Sequence, residues 1–176
     1  MKIPYFEDNW KDAPRFDKKT VKRKNILVIL KHSDREEFCL LVWKKFWWNS
    51  LIVWWVDEWE WYIEAAKREV IEETWYNDFW ECSLLDLEFN TSFYASHKDI
   101  NRYSIEKYVF IQLNSMQNIW VDEKETQNHN FLWIAKNEVA DFLNLDNNMY
   151  AWRLFSTWKE EDIEYLEELK SFKWYK

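Results

Sequence analysis

Three glutamates at close helical spacing carry the chemistry of this chain. Glu69, Glu72 and Glu73 stand at i, i+3 and i+4 in KREVIEET, with Arg68 beside them and Glu60 upstream. On a helix this spacing gathers three carboxylates on one face, with Cβ atoms roughly 5–6 Å apart. Clustered carboxylates repel one another, and carboxylate oxygens are preferred ligands of hard divalent cations such as magnesium, which relieve the repulsion. The segment from Tyr62 to Thr74 is rich in Ala, Glu, Lys and Arg and lacks Pro, so a helix is predicted there. Ile63, Ala66, Val70 and Thr74 fall on an adjacent face that can pack on a sheet.

The stretch 54–76, WWVDEWEWYIEAAKREVIEETWY, resembles the Nudix box, the signature of hydrolases acting on nucleoside diphosphates linked to another group. Glu60, Arg68, Glu69, Val70, Glu72 and Glu73 all match that pattern at its spacing. A bare Glu-X-X-Glu-Glu run is more often the solvated acidic face of an ordinary helix; the placement of Glu60 and Arg68 sets this one apart. The glycines of the pattern are absent: Trp54 and Trp75 occupy their places, Trp55 and Trp59 stand where further glycines are usual, and Tyr76 fills an aliphatic position.

The resemblance implies an α/β fold, a Nudix-type α/β/α sandwich with a mixed sheet. It implies a pyrophosphohydrolase with Mg2+ (or Mn2+) held by Glu72 and Glu73, and with Glu69 as ligand or base. Arg68 would hold Glu60 through its planar guanidinium. A backbone carbonyl of Trp54 or Trp55 would complete the metal shell, and Glu123 or Glu125 would supply a further acid. The substrate would be a nucleotide-type small molecule; nucleoside triphosphates, dinucleoside polyphosphates, nucleotide sugars and capped RNA all stay open.

The missing glycines extend through the whole chain. An average chain of this length has about twelve, at roughly 7% usage, whereas this one has none and carries 15 Trp. Several Trp lie where glycine chemistry is expected, notably Trp10, Trp54, Trp55, Trp75, Trp158 and Trp174. Most are read as standing for Gly, by substitution throughout or because a UGA codon was translated as Trp in a chain whose source reads it as Gly. Trp43, Trp133 and Trp152 have strand-like or aromatic surroundings and are read as genuine.

Other elements must position the box. One domain is expected for 176 residues, with an extended arm over 1–21 containing both prolines and a single Nudix-like domain over 22–176. Predicted strands cover 25–30, 37–44, 50–53, 83–89, 92–95, 106–113 and 131–135. A short helix is predicted from Asn137 to Leu143 with Asn137 as its cap, and an amphipathic C-terminal helix over 160–172. The N-terminus lacks the apolar core of a signal peptide and no run of eighteen apolar residues exists, so a cytoplasmic location and no membrane partner are expected. Cys39 and Cys82 are expected to be reduced, packed thiols.

A net charge of −8 argues against non-specific nucleic-acid binding. The basic run Lys18, Lys19, Lys22, Arg23 and Lys24 is read as a solvated strand entry before a phosphate contact. His97, Lys98 and Arg102 are read as one charged loop that could meet phosphates. Tyr94 or Phe93 could stack on a base, although core roles are commoner. His32, His97 and His129 are too dispersed for a zinc site and are read as structural or surface residues. A homodimer stays open.

A second class is a recognition module. The leader KDAPRF and the stretch FYASHKDINR are similar to Nudix-like modules associated with some bacterial leucyl-tRNA synthetases, which would make tRNA a partner and the chain a module or fragment. A third reading is that the polypeptide folds poorly. Trp54 and Trp55 in tight loops and Trp75 at a helix end would each cost roughly 1–3 kcal/mol, against a total stability of about 5–15 kcal/mol.

Overall fold

The structure is a computed structural model and describes residues 3–8, 10–45, 47–118 and 129–157. Its spine is β2 (Thr20–Lys31), whose second half, NILVIL, alternates apolar side chains into both layers of the core. The strand β7 (Ile100–Leu113) lies parallel to β2 in unbroken register from Thr20↔Asn101 to Lys31↔Gln112. The antiparallel neighbour of β7 is β6 (Phe79–Ala95), and β1 (Tyr5–Glu7) closes that edge in parallel with β6.

Two strands share the other edge of β2. The end of β2 pairs with β3 (Glu37–Trp43) at Leu30↔Cys39, and its middle pairs with β5 (Ile52–Trp55) from Asn25↔Trp55 to Val28↔Ile52. The short β4 (Asn49–Ser50) and the later β8 (His129–Ala135) both pair with β3. The result is the expected mixed sheet.

Helix α1 (Tyr62–Thr74) covers one face, setting Ala65, Ala66 and Val70 against Ile26, Val28, Leu30 and Ile111. The opposite face carries α2 (Val139–Phe142) and α3 (Asp146–Thr157), whose Val139, Tyr150 and Trp152 meet Leu27, Ile29, Phe38 and Tyr108. This is the α/β/α sandwich anticipated from the sequence. Successive side chains of one strand point to opposite faces, so NILVIL serves both layers at once.

Several elements differ from expectation. The strands predicted at 83–89 and 92–95 are one strand, because the polar residues Asn90, Thr91 and Ser92 keep their register with β7 and take β1 on their other side. Within the stretch read as an arm, Tyr5–Glu7 form β1 and β2 already begins at Thr20. Asn137 does not cap α2; Glu138 holds that position, with no side-chain cap bond. Helix α3 was not anticipated. The predicted helix at 160–172 lies outside the described residues. Cys39 is buried, Cys82 is half-buried, and both are free thiols. No helix among the described residues is long and apolar enough to cross a membrane.

Candidate active site

The box helix is launched from the sheet. Strand β5 ends at Trp55, and the Val56 N–H donates to the Lys24 carbonyl at 2.9 Å, tying the start of the loop to β2. The Glu64 carboxylate accepts the Trp61 backbone N–H at 3.2 Å, satisfying a donor that a helix start leaves orphaned. At the other end Trp75 adopts left-handed backbone, φ 66° and ψ 6°, and its N–H donates to the Ile71 carbonyl. That is a C-terminal geometry usually filled by glycine.

Arg68 holds Glu60 through two parallel bonds, Nε to Oε1 and Nη2 to Oε2, both 2.9 Å. Its Nη1 also donates to Glu69 Oε1 and, at 3.2 Å, to Glu72 Oε2. One guanidinium thus meets three of the four box carboxylates. The fork geometry expected of Arg68 is present, and it depresses the Glu60 pKa below the ordinary carboxylate value.

Glu69 is 1% exposed, and its Oε2 has no hydrogen-bond partner. Burial pushes its pKa up to about 8 against the opposing pull of Arg68, with Glu72 and Glu73 adding repulsion. Glu73, also buried, has its Oε2 2.5 Å from His129 Nε2 on β8. Glu72 is the most open of the three, its side chain 38% exposed.

The donor chemistry suits a hard divalent cation: three carboxylates on one helix face, two of them, Glu69 and Glu73, with a buried oxygen that accepts no hydrogen bond among the described residues. With Glu69 turned to Arg68 and Glu73 to His129, no three acidic, His or Cys side chains converge into a ligand shell among the described residues. Glu123 and Glu125 lie outside those residues.

Trp54 and Trp55 are not in a tight loop. They continue β5 in register with Ile26 and Asn25, so the strain expected of them is absent, while that expected of Trp75 is present. Nor do His97, Lys98 and Arg102 cluster. His97 and Lys98 are exposed in a 3-10 turn, whereas Arg102 lies two residues into β7 and is 7% exposed. Tyr94 is buried and donates its hydroxyl to Asp99 Oδ1 at 2.5 Å, and Phe93 is half-buried.

Two features escaped the sequence reading. His129 sits at the box helix although it is 56 positions beyond Glu73 in the chain. Arg23, from the basic run, and Arg102 lie on the same face of adjacent strands, where Arg23 pairs with Ser104 and Arg102 with Val21. Strand alternation around Arg23 and Arg102 was the one signal available for placing them together.

The sequence matches no family model and no curated protein. Solved structures do match. The E. coli dihydroneopterin triphosphate pyrophosphohydrolase superposes with a TM-score of 0.54 at 18% identity, over 79% of this chain and 99% of that one. A Listeria monocytogenes Nudix hydrolase gives 0.57 at 21% identity, over 80% and 93%. A C. elegans Ap4A hydrolase gives 0.54 at 15% identity, over 78% and 98%. The chain has the fold of the Nudix hydrolases.

Proposed function

We propose that this protein is a divalent-metal-dependent hydrolase cleaving the diphosphate linkage of a nucleoside diphosphate derivative. The observation that carries the reading is the Arg68 fork on Glu60 within a Nudix fold, beside Glu69, Glu72 and Glu73 on one helix face. Similar structures named for dihydroneopterin triphosphate and Ap4A support a nucleotide-type substrate.

Glu72 and Glu73 are the metal ligands in this reading, with Glu69 as a further ligand or as the base. Magnesium, when bound, would neutralise phosphate charge and lower the pKa of attacking water. The chain's own residues do the rest. Arg68 fixes the carboxylates in orientation through the Glu60 fork, so the helix face is organised before substrate arrives. Glu69, screened from water and holding its proton to about pH 8, accepts a proton from a nucleophile only once that proton has left. His129 Nε2 lies beside the Glu73 carboxylate near the end of the helix.

The test is release of nucleoside monophosphate or phosphate from a panel of nucleoside diphosphate derivatives with magnesium, using Glu72→Gln as control. Turnover that disappears in the control supports the hydrolase. A folded, magnesium-binding protein with no turnover across the panel would point instead to a recognition module.

A further inference from the structure

Among the charged side chains, Arg102 stands in an unusual position. It is 7% exposed, forms no ion pair with any described residue, and its Nη1 is buried with no hydrogen-bond partner. A guanidinium cannot shed its charge, so burying it unpaired is costly unless something else neutralises it. The charge beside it is of the same sign. Arg23 lies diagonally across the parallel β2–β7 pair and further disfavours the Arg102 cation.

The nearby acids leave Arg102 unpaired. Ser104 and Glu106 follow Arg102 along the same face of β7, but Glu106 accepts from Thr91 Oγ1 and from Asn147 Nδ2, both at 2.8 Å. Asp8, which continues β1 beside Ser92, feels Asp12 and Asp146. Neither acid pairs with Arg102.

Arg23, unlike Arg102 in the interior of the sheet, stands on a strand with one unpaired side. Strand β5 stops opposite Asn25, so among the described residues no strand is paired to that side of β2 at Thr20–Lys24. Arg23 is half-buried there, its guanidinium 4.7 Å over the Trp55 ring, immediately before the loop that leads into the box helix.

We infer that Arg102 and Arg23 form a subsite for a phosphate-type anion at the open end of β2. It rests on the hydrolase reading only where it takes the ligand to be the substrate's own phosphate. Two guanidiniums offer planar, bidentate donors matched to phosphate oxygens, and an anion between them supplies the charge that the protein withholds. Free inorganic phosphate has the same chemistry and is the other source.

Thermal unfolding of the full chain with inorganic phosphate, without metal or substrate, tests the subsite. Phosphate at about 100-fold over its Kd should raise the Tm by about 5–10 °C, and chloride at equal ionic strength should not. Arg102→Met should abolish the phosphate shift while leaving the unliganded Tm equal or higher, because it removes an uncompensated charge; Arg23→Met should weaken the shift. Absence of a phosphate-specific shift in the wild type, or a full shift in Arg102→Met, overturns the inference. If Arg102→Met does not fold, Arg23→Met decides: a weakened shift sustains the subsite and a full one removes it.

Turnover then separates the sources. Competitive inhibition by phosphate, with KM raised more than kcat is lowered in Arg102→Met, assigns the anion to the substrate. Non-competitive behaviour assigns it to free phosphate, and both outcomes keep the subsite. Since the binding assay contains no metal or substrate, a phosphate shift without turnover removes the hydrolase reading alone.

Discussion

His129 Nε2 stands 2.5 Å from Glu73 Oε2, joining the first residue of β8 to the penultimate residue of the box helix within the core. His129→Phe keeps an aromatic ring and removes the nitrogen facing Glu73; neither that nitrogen nor the carboxylate oxygen makes a hydrogen bond among the described residues, so what is lost is a close polar contact. A loss of no more than about 1 kcal/mol is expected by urea denaturation. Adding Glu73→Gln should cost less than the two single changes together, since the partners share one interaction.

Metal uptake should release a proton. Glu69 has its folded pKa raised to about 8 from an ordinary 4.5, so at pH 7 it holds a proton that a metal ligand must give up. Calorimetric titration of magnesium in buffers of different ionisation enthalpy should show that release, fading above pH 8. The sign for stability follows. A raised carboxylate pKa means the folded state binds more protons between pH 4.5 and 8, so the metal-free protein loses stability as pH rises through that window. Glu69→Gln should flatten this slope.

The Arg68 fork gives the opposite pH dependence. Glu60 has a depressed folded pKa, caused first by Arg68, so its contribution is present above about pH 4.5 and is lost as pH falls through the folded value. Arg68→Lys keeps the charge but not the two parallel bonds. It should lower kcat at least tenfold and reduce the acid sensitivity of the melting temperature.

Tryptophan at left-handed backbone is the fourth test. Trp75 has φ 66°, Trp47 has φ 23°, and the Trp75 indole nitrogen is buried without a partner. Trp75→Gly should stabilise by about 1–3 kcal/mol. Trp54→Gly and Trp55→Gly, in paired extended strand, should instead cost up to about 1 kcal/mol each. A gain at all three positions would count against a backbone origin for the effect. Peptide mass spectrometry of the natively expressed protein reads directly whether 75 is Trp or Gly. Trp152, 2% exposed in the core, and Trp43, whose Nε1 donates to Ser50 Oγ at 3.0 Å, contrast with Trp59 at 94% and Trp61 at 76% exposure.

The box and its helix were legible because their information is local. Glu69, Glu72 and Glu73 share a face by spacing alone, and Glu60 is only eight positions from Arg68. His129 was not legible, since its meeting with Glu73 depends on β8 pairing with β3. Arg102 was assigned to a loop because polar Asn101, Arg102 and Ser104 hide the start of β7, whose regularity comes from β2 and β6 on either side. Helix α3 was missed because DNN at its start reads as a turn, although Tyr150, Ala151 and Trp152 bury against the sheet.

The long parallel pairing of β2 with β7 sets the order in which the molecule can assemble. Thr20 finds Asn101 about eighty positions later, so the sheet's central ladder cannot close until most of the chain has left the ribosome. Until then NILVIL, the most apolar strand, has only β3 and β5 to shelter one edge. Folding should therefore be slow relative to helical proteins of this size, and the nascent chain is most exposed to aggregation in the interval between β5 and β7.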